Sequence, residues 1–336
     1  MTPSDLAELV RLPAVLTVVG DTLAGRAAAL GRGTTTPVPG VSRGPGRARF
    51  LLLPAASSCL YLAGMALNDW ADRDLDAVER PERPIPSGRV TPRAALVTGA
   101  VLTGAGIAAA GLATGRRGAV VASGIAAGVW AYDTVLKHHP VLGPAAMAAC
   151  RGLDVLLGAT TGSLRAALPA ASGVAAHTAA VTVLSRGEVR GTTTAVAASV
   201  AGVTLAGALL PVVTAPAGRA EATGGPGAAP AVAGHAARAA TALAAGRPAR
   251  AAAALAAVAY AASCLPGQLR AAAAPTAGAA RSATRAGLQA MIPLQATWAA
   301  RSGRPVTALA LGGVAAAGHL LRLRGRARGS RQVSIT

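Results

Sequence analysis

Apolar residues run through this chain in long blocks, separated by short stretches of Gly, Pro and Arg. Each block approaches the ~20 residues that carry a helix across a bilayer, and none shows the strict alternation of a half-buried strand. The blocks predict spans over residues 6–24, 50–67, 92–114, 118–136, 142–162, 169–184, 192–213, 251–265 and 305–321. The piece 284–300 is interrupted by Gln289, Pro293 and Gln295 and predicts an interfacial or re-entrant helix, raising the span count from nine to ten if it crosses. In the first block Arg11 is placed at the interface and Asp21 as a cap on the far end. Residues 25–49 and 215–250 are low-complexity Gly/Pro/Ala/Arg segments, the second either disordered or loosely helical. Residues 322–336 form a basic tail suited to solvent or anionic lipid. The predicted fold class is all-α, a polytopic membrane helix bundle in one transmembrane domain over 1–336.

Composition agrees with the pattern. Hydrophobic residues make up 52% of the 336, charged residues only 13%, and mean hydropathy is +0.47. Ala and Gly supply much of that apolarity, and aromatics stand at 2%, so interfacial Trp and Tyr belts are sparse. Net charge is +19, carried by 31 Arg and one Lys. The arginines are scattered among loops without aromatic partners, which excludes a nucleic-acid surface. Loop charge does not orient the bundle, because the predicted loops divide the basic residues evenly between the two faces. Cys59, Cys150 and Cys264 lie singly in apolar stretches, with no metal-ligand spacing. Two acids before residue 9 and no basic leader predict no cleavable signal peptide. No obligate protein partner is evident.

The chemistry concentrates in 68–90, N-D-W-A-D-R-D-L-D-A-V-E-R-P-E-R-P-I-P-S-G-R-V. Five of the chain's 13 acids occupy its first twelve residues, directly after the second apolar block. If that helix continues, about 100° per residue places Asn68, Asp72, Asp76 and Asp69 on one quarter of its surface, with Asp74 pointing away. Carboxylates so arranged repel one another unless cations share them, and an all-oxygen ligand set suits Mg²⁺.

This stretch resembles the first signature of the UbiA superfamily of intramembrane prenyltransferases. Asn68, Asp69, Asp72 and Asp76 match N-D-x-x-D-x-x-x-D, and residues 80 to 88 match R-P-x-R-P-I-P-S-G. The resemblance implies a membrane-embedded all-α bundle and Mg²⁺-dependent transfer of an isoprenoid chain from its diphosphate to an acceptor. On this resemblance Asn68, Asp72, Asp76 and Glu188 are expected as metal ligands, and Asp69, Asp72 and Lys137 as catalytic groups. Arg73, Arg80, Arg83, Tyr132, Arg151, Asp154, Ser185 and Arg186 are expected to contact substrate.

Four of these placements carry open alternatives. Lys137, the one lysine, keeps the spacing from Tyr132 of a family aromatic-x-x-x-x-Lys element, yet also reads as a lone interfacial lysine; Asp133 is a polar wall of the site or its partner. Arg151 and Asp154, spaced i, i+3 inside a span, face substrate or pair with each other. The second acidic motif is reduced to S-R-G-E-V-R-G at 185–191, with Glu188 its one acid. That form is similar to a bacterial secondary-metabolite subgroup, including an EboC-like branch. The partners expected are a prenyl diphosphate, an unidentified lipid-soluble acceptor and membrane lipid, in the cell inner membrane with the motif face cytoplasmic. The alternative expectation is a catalytically weakened protein that carries an isoprenoid lipid. A CDP-alcohol phosphotransferase is excluded by the absence of its D-G-x-x-A-R order.

Overall fold

The computed structural model describes residues 2–10, 16–30, 47–214 and 232–314. Among them every regular element is helical: α1 (Pro3–Leu9), α2 (Leu16–Leu30), α3 (Arg47–Phe50), α4 (Leu52–Ala71), α5 (Arg73–Glu79), α6 (Pro92–Thr114) and α7 (Arg116–Ala131), which continues into a π-helical turn (Tyr132–Leu136). Next come α8 (Leu142–Ala159), α9 (Leu164–Ser185), α10 (Gly187–Arg190), α11 (Thr194–Val213), α12 (Val232–Ala273), α13 (Ala277–Gln289), α14 (Met291–Arg301) and α15 (Pro305–Val314).

Among the described residues, six helices are long and apolar enough to cross a bilayer: α6, α7 with its π turn, α8, the stretch Leu164–Arg190, α11 and the Ala249–Ala273 part of α12. Their outer faces expose Val101, Leu112, Val120, Leu205, Leu209 and Val258. Such a belt is tolerable only against lipid, and the chain is an integral membrane protein. The sequence expectation of nine spans exceeds this number for a local reason. α4 has the length, but Asn68 and Asp69 in its last turn dilute its apolarity, while α2 and α15 are short within the described residues.

Helix starts follow side-chain capping. Thr91, Ser163, Thr193 and Thr276 each accept, through the hydroxyl, the backbone N–H three residues on. Pro92 follows Thr91 at the first helical position, where its missing N–H leaves no helical bond unmade. The predicted span 92–114 coincides with α6 for this reason.

Backbones approach most closely where α2 lies along α8. A Cβ built on Gly158 would stand 2.0 Å from the Thr22 carbonyl oxygen, and one on Gly25 would stand 1.8 Å from that of Val155. With no side chain at either position the two helices touch main chain to main chain, as small residues allow in membranes. That contact carries Asp21 into the bundle interior, fully buried. Asp21 is therefore not a cap on the far end; tertiary packing overrides its local capping preference.

Two other expectations meet the structure. Residues 232–250, read as part of a low-complexity segment either disordered or loosely helical, are helical, the first part of the 42-residue α12, as suits an Ala-rich sequence. The interrupted piece 284–300 divides between α13 and α14 at Ala290, and α14 is nearly all buried, including Leu294, Gln295 and Trp298. At 11 residues it is too short to span, as expected, and of the two alternatives, interfacial or re-entrant, its burial favours the second. Arg11 and the tail 322–336 lie outside the described residues.

α1 is fastened to the loop after α5 by Arg89, whose guanidinium reaches Asp5 at 3.1 Å, Glu8 at 2.7 Å and the Glu82 carbonyl at 2.8 Å. Hydrogen bonds from Thr2 hold the Asp5 carboxyl below its ordinary range, and those from Arg89 do the same for Glu8. Groups with depressed folded pKa values stabilise above their unfolded values and cease to as pH falls through the folded ones. Protection of the α1 amides, taken relative to their intrinsic exchange rates, is expected to be high at pH 6 and to fall below pH ~4, the ordinary carboxyl range; Arg89→Met is expected to remove the Glu8 part of that dependence and to leave the part that Thr2 gives Asp5. Substituting Gly158→Val is expected to lower the thermal midpoint in detergent by several degrees, matching an overpacking cost of ~1–3 kcal/mol. Gly104→Ala, where an added Cβ meets nothing within 4 Å, serves as the control and leaves the midpoint unchanged or higher.

Candidate functional site

The acidic stretch folds as a nearly continuous helical end. α4 stops formally at Asp72, yet its register persists: the Asp72 N–H donates to the Asn68 carbonyl at 2.9 Å, Asp76 to Asp72 at 2.8 Å and Arg80 to Asp76 at 2.8 Å. The expected face therefore forms. Asp69 and Asp76 are buried, while Asp74 points outward and pairs only with Arg73.

Pro81, Pro84 and Pro86 then forbid further helix. The loop closes on itself through Ser87 N–H to the Arg83 carbonyl and Val90 N–H to the Pro84 carbonyl, with Gly88 at φ 76°. Ile85 and Val90 pack with Leu9, Ala66 and Ala95. This anchoring turns Arg83 back onto the helix end, where one Nη1 reaches Asp76 at 2.5 Å and Asp69 at 3.3 Å. Arg80 stands 3.9 Å from the same Asp76.

The acids thus divide into two groups. Asp69 and Asp76 face Arg83, and Asp72 turns to Lys137, whose Nζ contacts its Oδ1. Asn68 donates to Asp72 at 3.1 Å and approaches Asp133 at 3.5 Å. Lys137 arrives there because of the π turn, in which its N–H bonds the Tyr132 carbonyl five residues back. In a regular helix Tyr132 and Lys137 would point about 140° apart; the inserted residue brings both to the α4 side. The Lys137–Asp133 pairing open from sequence does not form as a salt bridge; Lys137 takes Asp72 instead.

The second motif sits at the same end of the bundle. Arg186 donates to the carbonyls of His139 at 2.9 Å and His138 at 3.0 Å, the residues that follow Lys137. Ser185 donates to Thr182, and the Glu188 carbonyl accepts from Arg281. The Glu188 side chain is half-buried and does not line the cavity described next. Arg73 lies over the Trp70 ring and bonds its carbonyl, turned away from the acids.

Below the acidic end a cavity of about 420 Å³ runs into the bundle. Asn68, Tyr132 and Asp133 form its upper wall, Leu60, Ile125, Val129 and Val181 its sides, and Ser57, Arg151 and Asp154 its floor. At the floor Arg151 pairs with Asp21 at 3.0 Å, not with Asp154, and Asp154 accepts from Ser57 at 2.6 Å. Gln295 donates to Asp21 and to the Thr17 carbonyl, both at 2.7 Å. His177, also on the wall, has both ring nitrogens engaged: Nε2 donates to the Gly287 carbonyl, so Nδ1 accepts from Tyr260. Ser57 and His177 escaped the sequence reading, and Asp21 and Gln295 entered it only as a cap and as an interruption of an apolar piece. Their one signal was polarity inside apolar blocks.

The donor chemistry suits a hard divalent cation, since Asp72 and Asp133 bring carboxylate oxygens to the two sides of the Asn68 amide, whose nitrogen now faces both. Arg83 and Lys137 now compensate the acids, and among the described residues no ready-formed group of three His, Cys, Asp or Glu ligands exists.

A family model described as the UbiA prenyltransferase family matches residues 22–261, more than two thirds of the chain. The chain belongs to the UbiA prenyltransferase family. Relatives named digeranylgeranylglyceryl phosphate synthase are 68% identical over 34 residues in Methanothrix thermoacetophila and 32% identical over 112 residues in Methanopyrus kandleri. These segments cover 10% and 33% of this chain, and 13% and 41% of the relatives. The chain spans less than half the length of these relatives. A solved UbiA homolog from Aeropyrum pernix K1 superposes with a TM-score of 0.55 at 18% identity, over 84% of this chain and 96% of that one, which shows the shared fold.

The balance between Arg83 and its two acids is testable. Arg83→Met leaves Asp69 and Asp76 buried without their shared cation and is expected to cost ~3–5 kcal/mol of stability. Adding Asp69→Asn and Asp76→Asn to Arg83→Met is expected to restore much of it in detergent denaturation.

Proposed function

We propose that this UbiA-family protein transfers a prenyl group from a prenyl diphosphate to a lipid-soluble acceptor inside the membrane. The observation carrying this reading is the Asn68–Asp72–Lys137 group at the mouth of a cavity with apolar walls. Asn68 and Asp72 would hold Mg²⁺, with Asp133 beside them, Asp76 available once Arg83 turns away, and Glu188 at the same end. Bound there, the metal would neutralise charge developing on the diphosphate as the allylic C–O bond lengthens.

The protein's own side chains do the rest. Lys137 and Arg83, held now by carboxylates, are placed to exchange those partners for phosphate oxygens, with Arg80 and Arg186 at the rim. Asp69, under the same Arg83, keeps that guanidinium aimed at the mouth. Leu60, Ile125, Val129 and Val181 exclude water, so the allylic carbon meets the acceptor rather than hydroxide. Tyr132 closes the upper wall, and Arg151 and Asp154 meet substrate at the floor. The motif face is assigned to the cytoplasm, where prenyl diphosphates and Mg²⁺ are available. The relatives' names suggest a glyceryl phosphate acceptor, on short stretches of similarity.

A second reading, a lipid carrier without turnover, draws on the single acid of the second motif and on Glu188 standing outside the cavity. The full chain in nanodiscs, given radiolabelled geranyl diphosphate and Mg²⁺ with a membrane lipid extract as acceptor source, separates the two. Prenyl transfer is expected in the wild type, falling by about 100-fold or more in Asp72→Ala. Binding of geranyl diphosphate with neither transfer nor diphosphate release would select the carrier.

A further inference from the structure

The corner where α12 meets α13 carries positive charge that the proposed chemistry does not use. Beyond Glu188 the sequence contains one further acid, Glu221, and neither α12 nor α13 contains any. Arg270 stands in the last turn of α12, and Arg281 and Arg285 stand on α13. All three are exposed. Arg270 Nε donates to the Pro266 carbonyl at 3.0 Å and Arg281 Nη2 to the Glu188 carbonyl at 2.9 Å, both main-chain acceptors. Among the described residues, no carboxylate pairs with any of the three. Arg281 and Arg285 are four residues apart on one helix, where like charges repel. A bound anion relieves that repulsion.

A groove of about 390 Å³ opens at this corner. Gly267, Ala273, Ala274 and Ala279 give it apolar walls, and Arg270 and Ser282 are the polar side chains that line it. Among the described residues the Arg270 Nη groups and the Ser282 hydroxyl have no protein partner. Arg285 lies three residues from Ser282, a neighbour on the α13 surface. Long side chains on a helix lean toward its N-terminus, which carries the Arg285 guanidinium toward Ser282. Three donors thus converge on one small space.

The groove also sits where a lipid head group would. Ala249–Ala273 is the membrane-spanning part of α12, and Arg270 is in its last turn. Leu255, Val258, Ala262 and Leu269 recur at helical spacing, exposed on one side of that span, where acyl chains cover them. A phosphodiester at the end of those chains offers two oxygens to guanidinium and hydroxyl donors. Phosphatidylcholine carries the same phosphate, but its trimethylammonium group would enter a corner with three arginines and no acid on either helix. We infer that the α12–α13 corner binds an anionic phospholipid of the phosphatidylglycerol type, its phosphate held by Arg270, Ser282 and Arg285 and its chains along the exposed side of α12. The inference does not rest on prenyl transfer.

The test titrates the chain in detergent micelles with phosphatidylglycerol or phosphatidylcholine of identical acyl chains, and counts bound lipids by native mass spectrometry. The first phosphatidylglycerol is expected to bind at least ~10-fold more tightly than phosphatidylcholine, the scale of two basic side chains at a lipid surface. Arg270→Gln and Arg285→Gln are each expected to reduce that preference ~5-fold, the share of one arginine. Arg117→Gln removes the same charge from the end of α7 far from Lys137 and is expected to leave the preference unchanged. All three positions are exposed, and thermal midpoints without added lipid check that each variant is folded. Equal affinity for the two lipids, a preference that survives in both Arg270→Gln and Arg285→Gln, or one that falls as far in Arg117→Gln overturns the inference. Inorganic phosphate is expected to leave the lipid in place; displacement at a comparable concentration would make a free anion the occupant and overturn it as well.

Discussion

Pairing of buried carboxylates with a smaller number of cations organises this protein at two depths. At the end of α4, Asp69 and Asp76 share Arg83, and Asp72 holds Lys137. Inside the bundle, Asp21 and Asp154 flank Arg151. Ions withdrawn from water cost several kcal/mol each unless geometry compensates. Each pairing therefore fixes helices relative to one another: α4 to its own loop and to the end of α7, and α2 to α8. The helices between are largely Ala, Gly and Val, which supply close approach but little directional preference. Ionic pairing supplies the register that such surfaces lack.

How much of this was legible in the chain depended on how local the cause was. The face formed by Asn68, Asp69, Asp72 and Asp76 follows from helical periodicity over nine residues, and it formed as the spacing required. α6 began at Pro92 because a Thr–Pro pair states a helix start in two residues. Asp21 was misplaced because its partner is set by an α2–α8 contact between Gly25 and Gly158, positions with no visible tie in the sequence. For the same reason the alternative left open for Arg151, pairing with its neighbour Asp154, gives way in the fold to a partner 130 positions away, Asp21. The π turn that aims Lys137 gave no signal beyond the Tyr132 spacing. The helical half of α12 was hidden by composition, since Ala, Gly, Pro and Arg serve disordered segments and membrane helices alike.

The second motif shows what a reduced acidic cluster can still do. Ser185 and Arg186 are spent on backbone carbonyls, and Arg186 ties the end of α9 to the loop beyond Lys137. That link places Glu188 and Asp72 at the same end of the bundle, which is the geometric requirement for both to face one bound head group. The segment acts as a structural clasp, and most of the negative charge at this end stands on α4 and α5.

On the proposed reading that asymmetry would orient the substrates. Near the mouth, among the described residues, Asp69, Asp72, Asp76 and Asp133 stand with Arg80, Arg83 and Lys137, cations that a bound divalent ion would release toward a diphosphate. At the floor, among the described residues, Asp21 and Asp154 flank Arg151, and no second cation lines the cavity there. A diphosphate entering that far would meet Asp154 before any free positive charge, and the repulsion is little screened in so apolar a space. On the proposed prenyl-transfer reading, the charged head group would stay at the end where Asp72 and Asp133 stand, and the reacting carbon would lie in the apolar stretch bounded by Leu60, Ile125 and Val129.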